Sequence, residues 1–214
     1  MESDILYSDK TLDVKDRRAK QLYASLTAKP VLMKEDEKVK FITPNKPMYR
    51  IFDIDDLREI KGMTGEFIVQ EKYDGLRVQV HKDGDSIKVY SFKGNDITEK
   101  FPKCVDYLKK KEVKNCILDG EAVLYKGDEP LIRADTLAYI NKKEKGEGDI
   151  KIHIFDIMSY DDESVAMEKM EDRLKILIAE FTALTNEIML FPNKSNTREA
   201  DSYEEIEEYK SQVD

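Results

Sequence analysis

The segment from Leu76 to Ser91 constrains the fold more than any other. Leu76, Val78 and Val80 alternate with Arg77, Gln79 and His81, and further on Ile87 and Val89 alternate with Lys88 and Tyr90. A period of two places successive side chains on opposite faces of a pleated strand. Asp83-Gly84 between the two runs supplies turn chemistry, so the segment is predicted to form an antiparallel β-hairpin. A hairpin in mid-chain excludes an all-helical architecture and an all-parallel sheet.

Around it, helical and strand patterns mix without a β-α-β rhythm. Val14 to Ala28 spaces Ala19, Leu22, Tyr23 and Leu26 along one helix face, and Pro30, Pro44 and Pro47 mark the connection after it. We place a boundary near Thr43, giving a helical extension and linker over 1–42 and a partial domain over 43–214. Phe67 to Gln70 is a short apolar strand. "DITEKFPKCVDYLKKK" is predicted to be a helix with Phe101, Val105 and Leu108 on one face, capped by a threonine or aspartate. Asn115 to Tyr125 and Ile150 to Ile157 read as strands, the second alternating Ile150, Ile152 and Ile154 with Lys151 and His153. Met167, Met170, Leu174, Leu177, Ile178 and Phe181 mark an amphipathic helix, and Ser202 with Glu205 matches a capping box ahead of an acidic, largely exposed one. The fold class is therefore α+β.

With 214 residues, the chain can build one sizeable core, and nothing in it demands a second full domain. It holds no apolar run near the roughly 18 residues of a membrane span and no signal segment, so the expectation is a soluble, cytoplasmic protein without a membrane partner. Cys104 and Cys116 lack zinc-site spacing and are expected to be two free thiols. The formal charge of −9 is uneven: Glu199 to Asp214 carries seven acidic residues against one basic. Lys72 to Lys114 instead holds eleven lysines and arginines against seven acids, a local excess suited to phosphates.

The residues most able to carry chemistry stand just ahead of the hairpin, in "VQEKYDGLR". A lysine becomes a nucleophile only after losing its proton, which burial or neighbouring cations favour. Lys72 lies between an apolar approach and the Asp74-Gly75 turn, where a pocket beside Arg77 is the expectation. Taken alone, a Lys-x-Asp-Gly sequence is more often an ordinary surface turn.

Four stretches in order change that reading. "EKYDGLR" (Glu71 to Arg77) resembles motif I of the ATP-dependent DNA ligases, in which the lysine takes AMP from ATP, and Tyr73 favours the DNA ligases over capping enzymes. "VYSFKGNDITEKFP" resembles motif III, "ILDGEAVLY" the segment whose glutamate approaches ribose and metal-bound phosphates, and "IHIFDIMSYDDESV" motif IIIa. "ITPNKPM" resembles the lead-in of archaeal and eukaryotic-type ligases. The resemblance implies the ligase and mRNA-capping nucleotidyltransferase fold, related to the ATP-grasp design, with mainly antiparallel sheets and flanking helices. It implies Lys72 as nucleophile, and Gln70, Glu71, Arg77, Glu121 and Phe155 as ATP or AMP contacts, Phe155 stacking on adenine. Asp74 and Gly75 would support the turn, Lys93 would contact phosphate, and Glu121 would approach a divalent Mg2+ or Mn2+ ion. ATP is the implied cosubstrate and nicked double-stranded DNA the implied partner.

Three departures stand out. Ser91-Phe92 replaces the usual Ser-Arg of motif III, and the neighbouring Lys93 cannot copy a guanidinium fork. Gln70 stands where the family often has glutamate. Motif IV and the lysine-rich motif V do not occur before Asp214, so the domain is expected to be incomplete at its C-terminus. A second polypeptide supplying motifs IV and V and the oligonucleotide-binding domain is the matching expectation. An RNA-ligase or capping-type enzyme and a non-catalytic nucleic-acid-binding remnant remain as alternatives.

Overall fold

The computed structural model describes residues 67–142, 146–166, 168–193, 197–200 and 202–213. The helix expected over Val14 to Ala28 and the boundary near Thr43 lie outside the described residues. In chain order the elements are β1 (Phe67–Gln70), β2 (Leu76–Asp83), β3 (Ser86–Ser91), α1 (Pro102–Lys109), β4 (Cys116–Lys126), β5 (Glu129–Pro130), α2 (Arg133–Asn141) and β6 (Asp149–Tyr160). After them come β7 (Glu163–Ser164), α3 (Met170–Phe181), β8 (Met189–Leu190), β9 (Thr197–Ala200) and α4 (Tyr203–Val213).

The expected hairpin is present, with β2 and β3 in register from Val78↔Ser91 to Asp83↔Ser86. Its turn is Gly84-Asp85, one residue later than the sequence pattern suggested, and Gly84 takes a φ of +55°, a region glycine enters without penalty. β2 also pairs with β4, and β4 with β6, giving a main sheet in the order β3-β2-β4-β6-β7 with β5 on β4 and β8 on β6. Only the short β6–β8 pairing is parallel among the described strands. The mixed, mainly antiparallel α+β architecture follows.

One face of this sheet makes the core. Val78, Val80, Leu118, Ala122, Ile152, Ile154 and Ile157 cluster with Phe101, Cys104 and Leu108 beside α1 and with Leu177 and Phe181 of α3. Each fully buried leucine or phenylalanine contributes about 1.5–3 kcal/mol. The other face carries Arg77 and Gln79 of β2 opposite Glu121 and Asp119 of β4. This second face is also covered, since Gln79, His81 and Asp119 are buried.

β6 does not run evenly beside β4. Gly120 pairs with Ile154 and Asp119 with Asp156, so Phe155 is an extra, unpaired residue; Leu118 then pairs with Ile157 and Ile117 with Ser159, leaving Met158 out. These two bulges bring Asp156 opposite Asp119 while Ile157 stays in the core.

Several boundaries differ from the sequence expectation. The predicted helix at "DITEKFPKCV" divides into a 3-10 turn, Thr98–Lys100, and α1, whose proline stands at the first helical turn, where its missing N–H costs nothing. Asp96 still acts locally, accepting the Thr98 N–H at 3.0 Å. α3 begins at Met170 rather than Met167, and Ile178 on it is exposed. The Ser202 hydroxyl accepts the Glu205 N–H at 3.3 Å, as one half of a capping box should. α4 is less exposed than expected, because Ile206 and Tyr209 are buried. Cys104 and Cys116 are free thiols, both buried.

Candidate active site

The site forms where residues 71–75 leave β1 and cross to the start of β2. Gly75 is held from both sides. Its N–H donates to Glu121 Oε1 at 3.1 Å, and its carbonyl accepts from Arg133 Nη1 at 2.9 Å. Asp74 supports the same turn, its Oδ2 accepting the Arg133 backbone N–H at 3.2 Å. A Cβ at position 75 would lie 2.2 Å from the Ala122 carbonyl oxygen. Glycine is needed here because two backbones touch.

Lys72 is exposed, so the described residues do not enclose it in the expected pocket beside Arg77. Its neighbours are restrained instead. Tyr73 donates its hydroxyl to Glu71 Oε2 at 2.6 Å, and its ring stacks on the His153 imidazole with centroids 3.5 Å apart. Burial, with the bonded Glu71 carboxylate, pushes the Tyr73 hydroxyl far above its ordinary value. His153 is 5% exposed, and burial followed by the Lys151 charge lowers it to about 4, so it is neutral at neutral pH. Tyr125 Oη lies 3.0 Å from His153 Nε2, beneath the stack.

Arg77 sits behind this segment. Its Nε and Nη2 donate to the two oxygens of buried Asp119 at 3.0 and 2.9 Å, and its guanidinium carbon lies 5.2 Å from the centre of the half-buried Phe155 ring. Burial raises the Asp119 carboxyl, opposed chiefly by Arg77. Asp156, facing it, is gripped by fully buried Arg173 through Nε and Nη2 at 2.7 and 2.8 Å. Burial also pushes Glu121 up to about 7, against the Gly75 N–H and the charges of Arg77 and Arg133.

The structure thus gathers Arg77, Glu121 and Phe155 on one face and holds Asp74 and Gly75 against it. Gln70, at the end of β1, donates from Nε2 to Thr197 Oγ1 at 3.5 Å. Lys93 is exposed in the turn after β3, at the same end of the hairpin as Arg77 but past the sheet edge, beside the 58% exposed Phe92. Sequence reasoning missed Asp119, Arg133, His153, Asp156 and Arg173. The adjacency of Asp119 to Glu121 on a strand facing Arg77 was a usable signal for the first; a lone helical arginine gave none for Arg133 or Arg173.

The model of the family described as "ATP dependent DNA ligase domain" matches residues 47–213. The chain belongs to the ATP-dependent DNA ligase family. It is 30% identical over 179 residues to DNA ligase 4 of Gallus gallus, covering 78% of this chain and 19% of that protein. Over 181 residues it is 30% identical to the DNA ligase of Methanocaldococcus jannaschii, covering 77% of this chain and 31% of the relative. The chain therefore spans less than a third of the length of these ligases. A solved mycobacterial DNA ligase D superposes with a TM-score of 0.46 at 19% identity, over 59% of this chain and 40% of its own. No helix among the described residues of this ligase domain is long and apolar enough to cross a membrane.

Proposed function

We propose that this chain supplies the nucleophile and the adenosine side of an ATP-dependent DNA-ligase active site, with Lys72 taking AMP before it passes to the 5′-phosphate of nicked double-stranded DNA. The observation that carries the reading is the assembly of Arg77, Glu121 and Phe155 on one sheet face, with the Lys72 segment fastened to it through Gly75. In the first step the Lys72 Nζ–phosphorus bond forms as the α-phosphorus-to-bridging-oxygen bond breaks. Pyrophosphate leaves and the amine's proton passes to solvent. In the remaining steps a DNA 5′-phosphate oxygen displaces Lys72 from the adenylate, and the adjoining 3′-hydroxyl then displaces AMP and seals the nick.

The residues present fit the adenosine part of ATP. Phe155 offers a half-buried ring for adenine, Gln70 and Glu71 border the entry from β1, and Arg77 and Glu121 supply a cation and an acceptor for ribose or phosphate. Glu121 would also approach a magnesium or manganese ion. Asp119 is taken by Arg77, and no cluster of three or more metal-ligating side chains occurs among the described residues. Such an ion would be held mainly by phosphate and water and would neutralise charge on the leaving pyrophosphate. Lys93 would meet phosphate only as a point charge, without the fork of a guanidinium.

The chain covers 19% and 31% of the two ligases named above, and further ligase sequence, continuous with it or on a second polypeptide, would supply the remaining contacts to the triphosphate and to DNA. Labelling with ATP radioactive at the α-phosphate, followed by intact-mass measurement, tests the reading. Weak Lys72-dependent AMP uptake by the chain alone, rising when the remaining ligase segments are supplied, is expected. Equal uptake by Lys72→Arg in the completed system overturns it.

A further inference from the structure

Lys72 is exposed, and each of its two neighbours makes contacts that restrain the segment. Glu71 and Tyr73 are bonded to each other across it, so both flanking side chains lie together on one side. Tyr73 is then anchored by a face-to-face stack on His153, at 3.5 Å and an interplanar angle of 25°. His153 is itself fixed from below. It sits on β6 opposite Glu121, its Nε2 lies 3.0 Å from Tyr125 Oη, and the Tyr125 ring continues the column at 5.8 Å, with Lys151 Nζ 4.3 Å from the centre of that ring. The column therefore runs from a long central strand to the residue adjoining the nucleophile.

A buried histidine at such a place calls for a reason, because an aliphatic side chain would fill the space without leaving two ring nitrogens to satisfy. A flat ring with one polar edge answers it: the plane takes the Tyr73 ring while the edge meets the Tyr125 hydroxyl, which fixes the rotation of the ring. The Gly75 contacts hold the segment only on the far side of Lys72. The stack adds a tie to β6 on the near side, since β1 pairs with β9 and not with the main sheet.

We propose that the Tyr73–His153–Tyr125 column is the device that positions Lys72 for attack, and that His153 is a positioning residue acting through Tyr73. This rests on Lys72 being the AMP acceptor. A misplacement of about 1 Å at a reacting group can cost on the order of a hundredfold in rate. The effect should fall on the rate of AMP uptake at saturating ATP rather than on ATP affinity, since none of the three column residues is among those assigned to ATP.

Two readouts test it, one independent of catalysis. Amide hydrogen exchange over residues 71–75 is compared in the parent chain, His153→Ala, His153→Phe and Tyr73→Ala, with thermal melts recorded for each. In the preparation that takes up AMP, the same variants are followed for rate and for the ATP concentration giving half-maximal rate. His153→Ala and Tyr73→Ala are expected to lose protection over 71–75 and to slow AMP uptake about tenfold or more, with half-saturation within about twofold. His153→Phe, which keeps a ring under Tyr73, should recover most of the rate.

Unchanged exchange in folded His153→Ala overturns the column as a clamp, whatever the catalytic result. Raised exchange with an unchanged rate overturns the positioning role, and so does a His153→Phe variant that folds yet is as slow as His153→Ala. If His153→Phe fails to fold, Tyr73→Phe against Tyr73→Ala provides the same comparison, with rescue by the ring expected. Failure of the parent protein to label at Lys72 would instead refute the adenylation reading, and the exchange measurements would still decide whether the column exists.

Discussion

Arg77 and Asp119 meet as a fork across two neighbouring strands, with Nε to Oδ1 at 3.0 Å and Nη2 to Oδ2 at 2.9 Å and the aspartate side chain wholly buried. Removing one partner of a buried pair strands the other's charge in a medium that solvates it poorly. Arg77→Met is therefore expected to lower unfolding stability by about 3–5 kcal/mol, measured in urea at pH 7. Arg77→Lys should recover only part, because an ammonium cannot bond both oxygens in one plane. A loss below about 1 kcal/mol for the methionine variant would show that Asp119 is held by something other than this fork.

The second fork, Arg173 on Asp156, lies against the first, since Asp119 and Asp156 face each other on β4 and β6. The two carboxylates repel, and each tolerates the other only while its own arginine is present. A double-mutant cycle with Arg77→Met and Arg173→Met should accordingly deviate from additivity by about 0.5–3 kcal/mol. Strict additivity in the unfolding free energies would mean that the two pairs are electrostatically independent.

Gly75→Ala places a methyl group 2.2 Å from the Ala122 carbonyl oxygen, a distance backbone cannot accommodate without moving. The expected result is a destabilisation of about 1–3 kcal/mol, seen as a lower melting temperature. Lys72-dependent AMP uptake should fall in the same variant, because the Glu121 and Arg133 contacts to Gly75 are broken as the segment lifts. Normal melting with normal labelling would contradict the close approach.

Glu121 makes a prediction about pH. Its folded-state value, raised from 4.5 to about 7 by burial, gives a stabilising contribution that is complete below the ordinary carboxylate range and is lost as pH rises through about 7. Glu121→Gln keeps an oxygen for the Gly75 N–H without the charge. The variant should therefore gain stability relative to the parent between pH 5 and pH 8, by on the order of 2 kcal/mol at most. Parallel stability curves across that interval would exclude a raised carboxyl.

Much of the sheet was legible because alternation survives wherever one face is core. The Leu76–Ser91 hairpin and the strand around Ile152 follow from it directly. It misleads at His153 and Asp119, which read as outward residues but are buried, since residues 71–75 and the long charged side chains cover the second face. α2 escaped notice because its apolar residues do not gather on one side, and β1–β9 because it joins residues more than a hundred positions apart, from Phe67↔Ala200 to Gln70↔Thr197. At the candidate site, the resemblance pointed to Lys72, Arg77, Glu121 and Phe155, and the fold brings the last three to one face. What the motifs do not encode is who holds whom: Arg77 forks onto Asp119, and Tyr73, beside Lys72, stacks on His153.

The paired bulges of β6 have a consequence for length. Between Ile154 and Ser159 the strand carries two residues more than its partner segment on β4 from Gly120 to Ile117, and the surplus is what lets Asp156 and Ile157 exchange the faces that strict alternation would assign them. Losing Phe155 or Met158 alone would straighten one bulge and leave Asp156 opposite Asp119 and Ile157 opposite Leu118, whereas one more residue before Asp156 would turn it toward the core. The strand pairing should thus tolerate loss of Phe155 far better than loss of Asp156 or Ile157, each of which has a partner on β4.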